Sequence, residues 1–157
     1  MVHKSEVRYP LKIGVVVVST TRTLESDTSG LSLIDKIRED GYDVTRTLCR
    51  DNEDEILETL LGFKDRDAII FVGGTGPSRK DLTYLTLEKV GEKEIRGFGE
   101  AFRSRSGVLM AYLSNASLFI RGRQQIYCIP GSPEAVETAW QIIRTFLNHV
   151  YEELHKE

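Results

Sequence analysis

Short apolar runs alternate with amphipathic segments along this chain. Residues 12–18, 44–49 and 68–72 are rich in β-branched and other apolar side chains. Residues 68–72 contain no polar position, as expected of a strand that is covered on both faces. Residues 44–49 are more polar, which predicts a strand nearer the edge of the sheet. Together these runs predict parallel strands in an α/β sheet.

Apolar residues at three- or four-residue spacing lie between and after these runs, and they predict helices. One stripe through Leu31, Ile34 and Ile37 stops at Gly41, a residue that is favoured just after a helix end. The mostly acidic run at residues 50–55 is predicted to open a further helix, and another helix is predicted after Asp81. The last helix has the longest stripe, which places Trp140 in the core: Val136, Ala139, Trp140, Ile143, Phe146, Leu147 and Val150.

The second half of the chain also contains turn signals. Residues 97–103 predict a turn that leads into a short helix. Residues 117–120 and 125–129 flank Gly122 and two arginines, which predicts a hairpin or a pair of adjacent strands. Ser132 is suited to cap the last helix, and Pro133 is suited to its first position.

Three glycines follow the buried strand at residues 68–72 almost at once: Gly73, Gly74 and Gly76. Glycine permits positive φ angles and a close approach of backbone N–H groups to a ligand, as in loops that hold phosphate oxygens. The stretch completes neither G-x-G-x-x-G nor a Walker loop. Asp81 stands at the predicted start of the next helix, where it could cap that helix or hold Mg²⁺.

Other polar residues are predicted to reach the same edge of the sheet. The loop after the first strand contains Ser19, Thr20, Thr21, Arg22 and Asp27, and open α/β sheets bind their ligands at the carboxyl ends of their strands. A solvated loop in which Asp27 or Ser29 caps a helix is the alternative. Asp51 lies where the second strand gives way to a helix, which predicts a position at this same edge.

Composition narrows the functional classes. The chain has 157 residues, of which 40% are hydrophobic and 29% charged, and a net charge of -3. These values predict one domain over residues 1–157 with its core at about residues 12–150. The negative charge disfavours a general nucleic-acid binder. With no signal peptide or membrane span in the sequence, we expect a cytoplasmic protein. Cys49 and Cys128 are predicted to be buried free thiols.

Five motifs, in the same order along the chain, resemble the MoaB/MogA family of molybdopterin-binding proteins in molybdenum cofactor biosynthesis. The resemblance extends from about residue 12 to residue 150 and is nearest to the MoaB branch. The motifs occupy Asp27–Gly30, Gly73–Gly76, Asp81–Thr83, Gly97–Arg103 with Ser106, and Pro130–Val136.

This resemblance implies a three-layer α/β sandwich, with a mostly parallel central sheet and helices on both faces. Family members commonly form trimers, or hexamers in the MoaB branch, and bind molybdopterin at the carboxyl edge of the sheet. Active members transfer AMP from Mg-ATP to the terminal phosphate of molybdopterin and release pyrophosphate. The implied partners are therefore molybdopterin, ATP and further copies of the chain, with Mg²⁺ as cofactor.

Particular residues carry these roles by resemblance. Asp51 and Asp81 match the two carboxylate positions of the magnesium site and are the implied catalytic residues. The nucleotide would lie on Gly73, Gly74, Thr75 and Gly76. The pterin would lie near Asp27, Ser29, Gly30, Ser106, Pro130, Gly131 and Ser132.

Two other functions remain as alternatives. A noncatalytic molybdopterin-binding or carrier protein of the same fold would have less reason to keep both Asp51 and Asp81 beside phosphates, which carboxylates repel unless a cation intervenes. A nucleic-acid-binding protein is disfavoured by the net charge. Its basic residues would be Arg79, Lys80, Arg103, Arg105, Arg121 and Arg123.

Overall fold

The computed structural model describes residues 7–156. Its strands are β1 (Lys12–Val18), β2 (Asp43–Cys49), β3 (Ala68–Val72), β4 (Lys93–Ile95), β5 (Ser117–Arg121) and β6 (Gln124–Ile129). Its helices are α1 (Thr28–Glu39), α2 (Glu53–Gly62), α3 (Thr83–Val90), α4 (Arg96–Ser106) and α5 (Pro133–Leu154), with a 3-10 helix at Leu109–Leu113.

Within this range the strands form a six-stranded sheet in the order β2-β1-β3-β6-β5-β4. The strands β2, β1, β3 and β6 are mutually parallel, whereas β5 is antiparallel to both of its neighbours. The predicted mostly parallel sheet, the edge position of the second strand and the β5–β6 hairpin are therefore confirmed. Because β2 and β3 lie on opposite sides of β1, the chain changes direction across the sheet there, and a crevice opens between the loops that follow β1 and β3.

Helices cover both faces of the sheet. On one face, alternate residues of β1 and β3, such as Val15 and Ile70, pack against α1, α4 and α5. On the other face, Val16 and Phe71 pack against α2 and α3. Each inner strand is thus apolar at successive positions because its two faces contact different helices. This arrangement confirms the three-layer sandwich.

Details of the core agree with the sequence pattern. Trp140 is 3% exposed, and its indole N–H donates to Oδ2 of Asp40 at 2.8 Å. Cys49 and Cys128 are buried and free. Burial raises the pKa of Cys49 to about 11 and that of Cys128 to about 12, so both thiols stay protonated near neutral pH. Ser132 caps α5 by accepting a hydrogen bond from the backbone N–H of Ala135 at 3.2 Å.

The segment after α3 differs from the prediction. The turn expected at residues 97–103 lies inside helix α4, which begins at Arg96, and the short strand β4 precedes it. Gly97 and Gly99 suggested a turn because glycine weakens helices. The fold needs a glycine at 99, however, because a Cβ atom there would overlap the carbonyl oxygen of Ala116.

No helix in residues 7–156 combines the length and the apolar composition that crossing a bilayer requires.

Candidate functional site

The loops after β1, β2, β3 and β6 meet at the carboxyl edge of the sheet. The backbone N–H of Gly73, after β3, donates to the carbonyl of Ile129 in β6 at 2.8 Å. The N–H of Ser19, after β1, donates to the carbonyl of Cys49 in β2 at 2.9 Å. These bonds prolong the parallel ladder beyond the strands, and they hold the loops in register at the edge where α/β proteins bind ligands.

The corner after β3 requires glycine at two consecutive positions. Gly73 and Gly74 have φ angles of 108° and 71°, which side chains with a Cβ atom rarely tolerate. Space is equally restricted: a Cβ atom at Gly73 would stand 2.5 Å from the carbonyl oxygen of Val18, and one at Gly74 would stand 2.9 Å from Oδ2 of Asp51. The chain turns tightly here and leaves the backbone of residues 74–76 facing the edge of the sheet.

Asp51 and Asp81 both lie against this corner, as the sequence predicts. Oδ2 of Asp51 adjoins Gly74, while Oδ2 of Asp81 would be 2.8 Å from a Cβ atom at Gly76. The negative charge of Asp81 is close enough to Asp51 to contribute to raising the pKa of the Asp51 carboxyl. Asp51 closely follows β2, whereas Asp81 lies in the loop between β3 and α3. The parallel order of β2, β1 and β3 brings the two together.

Each carboxylate uses one oxygen to shape the loop. Oδ1 of Asp51 accepts the backbone N–H of Leu82 at 2.9 Å, and Oδ2 of Asp81 accepts that of Ser78 at 3.0 Å. Within residues 7–156 the other oxygen of each carboxylate accepts no hydrogen bond. One oxygen on each residue is therefore left for a ligand.

The alternative in which Asp81 caps α3 is wrong. The capping position is Leu82, whose side chain cannot accept a hydrogen bond. Instead, Asp51 accepts the Leu82 N–H from another loop and satisfies one of the donors that open the helix. Asp51 thus fixes the start of α3 against the end of β2.

The environment of Asp51 raises its pKa above the ordinary value of 3.8. Desolvation by burial is the main cause, and the nearby charge of Asp81 adds to it, while the hydrogen bond from Leu82 acts in the opposite direction. A cation bound between the two carboxylates would relieve both unfavourable effects.

The two carboxylates fit a magnesium ion whose remaining coordination positions are filled by substrate phosphates and water. The described residues contain no group of three or more histidine, cysteine, aspartate or glutamate side chains placed to hold a metal. Mg²⁺ is commonly held by one or two carboxylates together with substrate phosphates and water. Asp51 and Asp81 beside a glycine corner match that pattern, whereas a metal caged entirely by protein side chains does not.

Two adjoining cavities open on one side of the glycine corner. The first, of about 370 Å³, has mainly apolar walls that include Phe102 and Met110, and Ser106, Pro130 and Ser132 also line it. The second, of about 400 Å³, lies along residues 74–77 and reaches Asp81 and Gly131. Pro130, Met110 and Ser114 border both. A planar ring in the first cavity could therefore extend phosphates into the second.

A third cavity, of about 250 Å³, lies on the other side of the corner, at the crevice between β1 and β3. It is lined by Ser19, Thr21, Arg22, Gly73 and Gly131, among others. Oγ of Ser19 accepts the backbone N–H of Arg22 at 3.0 Å and so shapes the loop. Three of the five polar residues proposed in this loop, Ser19, Thr21 and Arg22, therefore line this cavity.

Asp27, Ser29 and Gly30 occupy buried positions at the start of α1. Asp27 is 1% exposed; it caps the helix by accepting the N–H of Gly30 at 3.0 Å and pairs with Arg46 at 3.2 Å. The capping alternative is thereby confirmed for Asp27. Contact of these three residues with a pterin remains a prediction.

The six basic residues of the nucleic-acid alternative are divided between regions. Arg79 and Lys80 follow the glycine corner, whereas Arg121 and Arg123 lie at the β5–β6 turn, at the opposite edge of the sheet. Arg103 donates to the carbonyl of Ser114 at 3.1 Å, which anchors the segment beside the cavities. These positions do not provide one continuous basic face.

Sequence reasoning missed the connection between the glycine corner and the segment before β5. Oγ of Ser114 donates to Oγ1 of Thr75 at 3.1 Å, and the N–H of Asn115 donates to the carbonyl of Thr75 at 2.8 Å. Thr75 is 3% exposed, so its side chain supports the loop from behind. No local pattern could have indicated contacts between segments so distant in sequence.

Comparison with known proteins identifies the family of this chain. Residues 14–149 match the family model described as a probable molybdopterin binding domain. The chain belongs to the molybdopterin-binding domain family. This match, together with the relatives and the solved structure of the next paragraph, confirms the resemblance to MoaB and MogA proteins drawn from the sequence.

Individual relatives extend over nearly the whole chain. Molybdenum cofactor biosynthesis protein B of Bacillus cereus is 34% identical, over 99% of this chain and 97% of the relative. A molybdopterin adenylyltransferase of Pyrococcus furiosus is 31% identical, over 94% of each chain. A crystal structure of a molybdenum cofactor biosynthesis protein B superimposes with a TM-score of 0.88 at 34% identity, covering 96% of this chain and 100% of that one.

Proposed function

We propose that this protein acts in molybdenum cofactor biosynthesis as a molybdopterin adenylyltransferase, with ATP and molybdopterin as substrates. The observation that carries the proposal is the position of Asp51 and Asp81, whose carboxylates adjoin Gly74 and Gly76 at one edge of the sheet. The similarity of this chain to the molybdopterin adenylyltransferase of Pyrococcus furiosus supports the same reaction.

The reaction transfers an adenylyl group between two phosphates. An oxygen of the terminal phosphate of molybdopterin forms a bond to the α-phosphorus of ATP, and the bond from that phosphorus to the bridging α-β oxygen breaks. The bridging oxygen keeps the electron pair and leaves with pyrophosphate. The attacking oxygen is already ionised at neutral pH, so the site needs no histidine or activated serine as a base.

The residues of the corner would bind and orient the phosphates. Gly73 donates its N–H to Ile129 and is not available, but in the described structure the N–H groups of residues 74–76 donate to no other protein group. They would donate to phosphate oxygens of ATP, in the manner of other backbone anion sites. When bound, Mg²⁺ would supply positive charge to offset the repulsion between two polyanions, and the free oxygens of Asp51 and Asp81 would hold it.

The cavities provide separate positions for the two substrates. We assign the pterin to the cavity lined by Ser106, Pro130 and Ser132, and the phosphates of ATP to the cavity along residues 74–77. Ser114 and Pro130 border both cavities, so the terminal phosphate of the pterin would meet the α-phosphate there. Proximity of the two reacting atoms would supply much of the rate enhancement.

The assembly and its location belong to the same proposal. We expect a homotrimer or a hexamer, as the family resemblance implies, and we expect this assembly to act in the cytoplasm. The competing function is molybdopterin binding without catalysis, in which neither carboxylate would need a cation.

Incubation of the protein with molybdopterin and Mg-ATP tests the proposal. We expect pyrophosphate and adenylylated pterin to appear in equal amounts, and neither to form when EDTA replaces Mg²⁺. Asp54→Asn serves as a control, because it removes an exposed carboxylate near Asp51 without touching the glycine corner. Pterin binding without any product would favour the noncatalytic function.

A further inference from the structure

The hydroxyl of Thr83 is an exception to the hydrogen-bonding pattern of the site. Thr83 is fully buried, at 0% exposure, and its Oγ1 has no hydrogen-bond partner in the described structure. Buried hydroxyls are nearly always paired, because leaving one unpaired disfavours folding. Valine would fill the same space without an unpaired group, so this hydroxyl requires an explanation.

The neighbours of the hydroxyl are groups of the proposed metal site. A Cβ atom at Gly74 would overlap Oγ1 of Thr83 and would stand 2.9 Å from Oδ2 of Asp51. The hydroxyl and the free oxygen of Asp51 therefore lie close together beneath Gly74. The backbone N–H of Thr83 donates to the carbonyl of Gly74 at 3.0 Å, which holds the start of α3 against the corner.

The hydroxyl is enclosed too completely to contact a substrate itself. Its solvent exposure is negligible, and Gly74 separates it from the cavities. Asp51, by contrast, is partly exposed and faces the corner with one oxygen unpaired. Any influence of Thr83 on a bound ligand must therefore pass through Asp51.

We propose that Thr83 is a positioning residue for Asp51, and that its hydroxyl donates a hydrogen bond to Oδ2 of Asp51 when a divalent cation is bound. A small rotation of the carboxylate or the hydroxyl would complete this bond. The Leu82 N–H would then donate to Oδ1 of Asp51 and the Thr83 hydroxyl to Oδ2. Both oxygens of the metal-binding carboxylate would thus be held in place. Hydrogen bonds of this kind orient metal ligands, and their loss commonly weakens metal binding.

This inference rests on the proposed function, since it assumes that Asp51 binds a cation. Binding of Mn²⁺ to the full-length protein with ATP but without molybdopterin separates the two, because no turnover occurs. Electron paramagnetic resonance of free Mn²⁺ gives the affinity. We expect Thr83→Val to weaken Mn²⁺ binding about tenfold and Thr83→Ser, which keeps the hydroxyl, to bind within about twofold of wild type.

Thr86→Val is the matched control. Thr86 lies one turn further along α3 and is also buried, at 2% exposure, but it does not adjoin Gly74 or Asp51. We expect its variant to bind Mn²⁺ as wild type does. If Thr83→Val also binds as wild type does, or if Thr83→Ser is weakened equally, the positioning role is wrong while the proposed function stands. If wild type shows no ATP-dependent Mn²⁺ binding, both are wrong.

Thermal unfolding of the unliganded protein provides a second readout. Removal of an unpaired buried hydroxyl should leave the melting temperature of Thr83→Val unchanged or higher. Thr83→Ser removes a buried methyl group instead, so its melting temperature should fall. The two variants would thus separate stability from cation affinity: Thr83→Val would keep its stability and lose affinity, whereas Thr83→Ser would lose stability and keep its affinity. A marked loss of stability in Thr83→Val would show that the hydroxyl has a structural role and would overturn the inference.

Discussion

Two strand-to-helix corners meet at the carboxyl edge of this sheet, and they differ in how the following helix begins. The corner after β6 is short: Ser132 caps α5 from within the corner, and Pro133 occupies the first turn. The corner after β3 is longer, and α3 has no side-chain cap of its own. The backbone N–H of Leu82, at the start of α3, donates instead to Asp51, which lies in a different loop.

One corner is therefore completed by residues that are neighbours in sequence, whereas the other is completed only by residues from distant parts of the chain. Ser132 and Pro133 complete their helix with neighbours in sequence, so that corner can form independently of the rest of the edge. The glycine corner is finished only when β2, β3 and α3 have docked, because Asp51 must reach Leu82. The corner that depends on distant residues is the one that gathers two carboxylates and the unpaired hydroxyl of Thr83.

The largest expected effect is on catalysis at the glycine corner. Asp81→Asn and Asp51→Asn keep an oxygen that can accept the loop hydrogen bonds but remove the charge that would hold the cation. We expect each to lower the rate of pyrophosphate release by about 100-fold or more, with molybdopterin binding retained. Unchanged turnover in both variants would contradict the proposed metal role, and Asp54→Asn controls for the loss of a negative charge.

The two corners should respond differently to alanine in place of glycine. Gly74→Ala places a Cβ atom on a residue with a φ of 71° and against Asp51 and Thr83, so we expect a loss of about 2–3 kcal/mol in the free energy of unfolding. Gly131→Ala meets nothing closer than 3.8 Å and should lose less than about 1 kcal/mol. Urea denaturation measures both, and equal losses would contradict the comparison.

A smaller effect is expected from the local cap. Ser132→Ala removes the acceptor for the N–H of Ala135 and should lower the free energy of unfolding by about 1 kcal/mol. Because α5 is also held by its buried stripe, the fold should persist, and cation binding at the glycine corner should not change. A change in Mn²⁺ affinity would show that the two corners are coupled.

The smallest effect is a pH-dependent gain in stability. The pKa of Asp51 is raised in the folded state, so its ionisation destabilises the unliganded fold progressively as pH rises above 3.8, and the effect levels off above the raised pKa. Asp51→Asn should therefore be more stable than wild type at pH 7, with a smaller difference near pH 4. A difference that shrinks as pH rises would contradict this sign. Melting temperatures without divalent cations provide the measurement.

Predictions from sequence succeeded where local patterns correspond to burial. The apolar runs at residues 12–18 and 68–72 coincide with β1 and β3, because each inner strand is covered on both faces. Prediction failed for β4, which has only three residues and no apolar run. At residues 97–103 the predicted short helix is present as α4, but the turn predicted before it is absent, because contact of Gly99 with the backbone of Ala116 outweighs the weak helix propensity of glycine.

The candidate site divides in the same way. Glycine spacing and the positions of Asp51 and Asp81, taken together with the family resemblance, predicted a phosphate and cation site at one edge. They could not show that Asp51 bonds Leu82, that Gly73 donates to Ile129, or that Thr83 lies unpaired beneath Gly74. Those contacts depend on the order of strands in the sheet.

The amino-acid sequence by itself determined which segments become strands and helices and which residue types follow each strand, because burial and backbone conformation act within a few positions. Only the tertiary structure decided which oxygen of Asp51 remains free, since the hydrogen bond that occupies the other one joins Asp51 to Leu82, in a different loop. Whether a carboxylate oxygen can bind a ligand depends on which groups lie beside it in space. For Asp51, those groups are brought into place by the packing of β2, β1, β3 and α3.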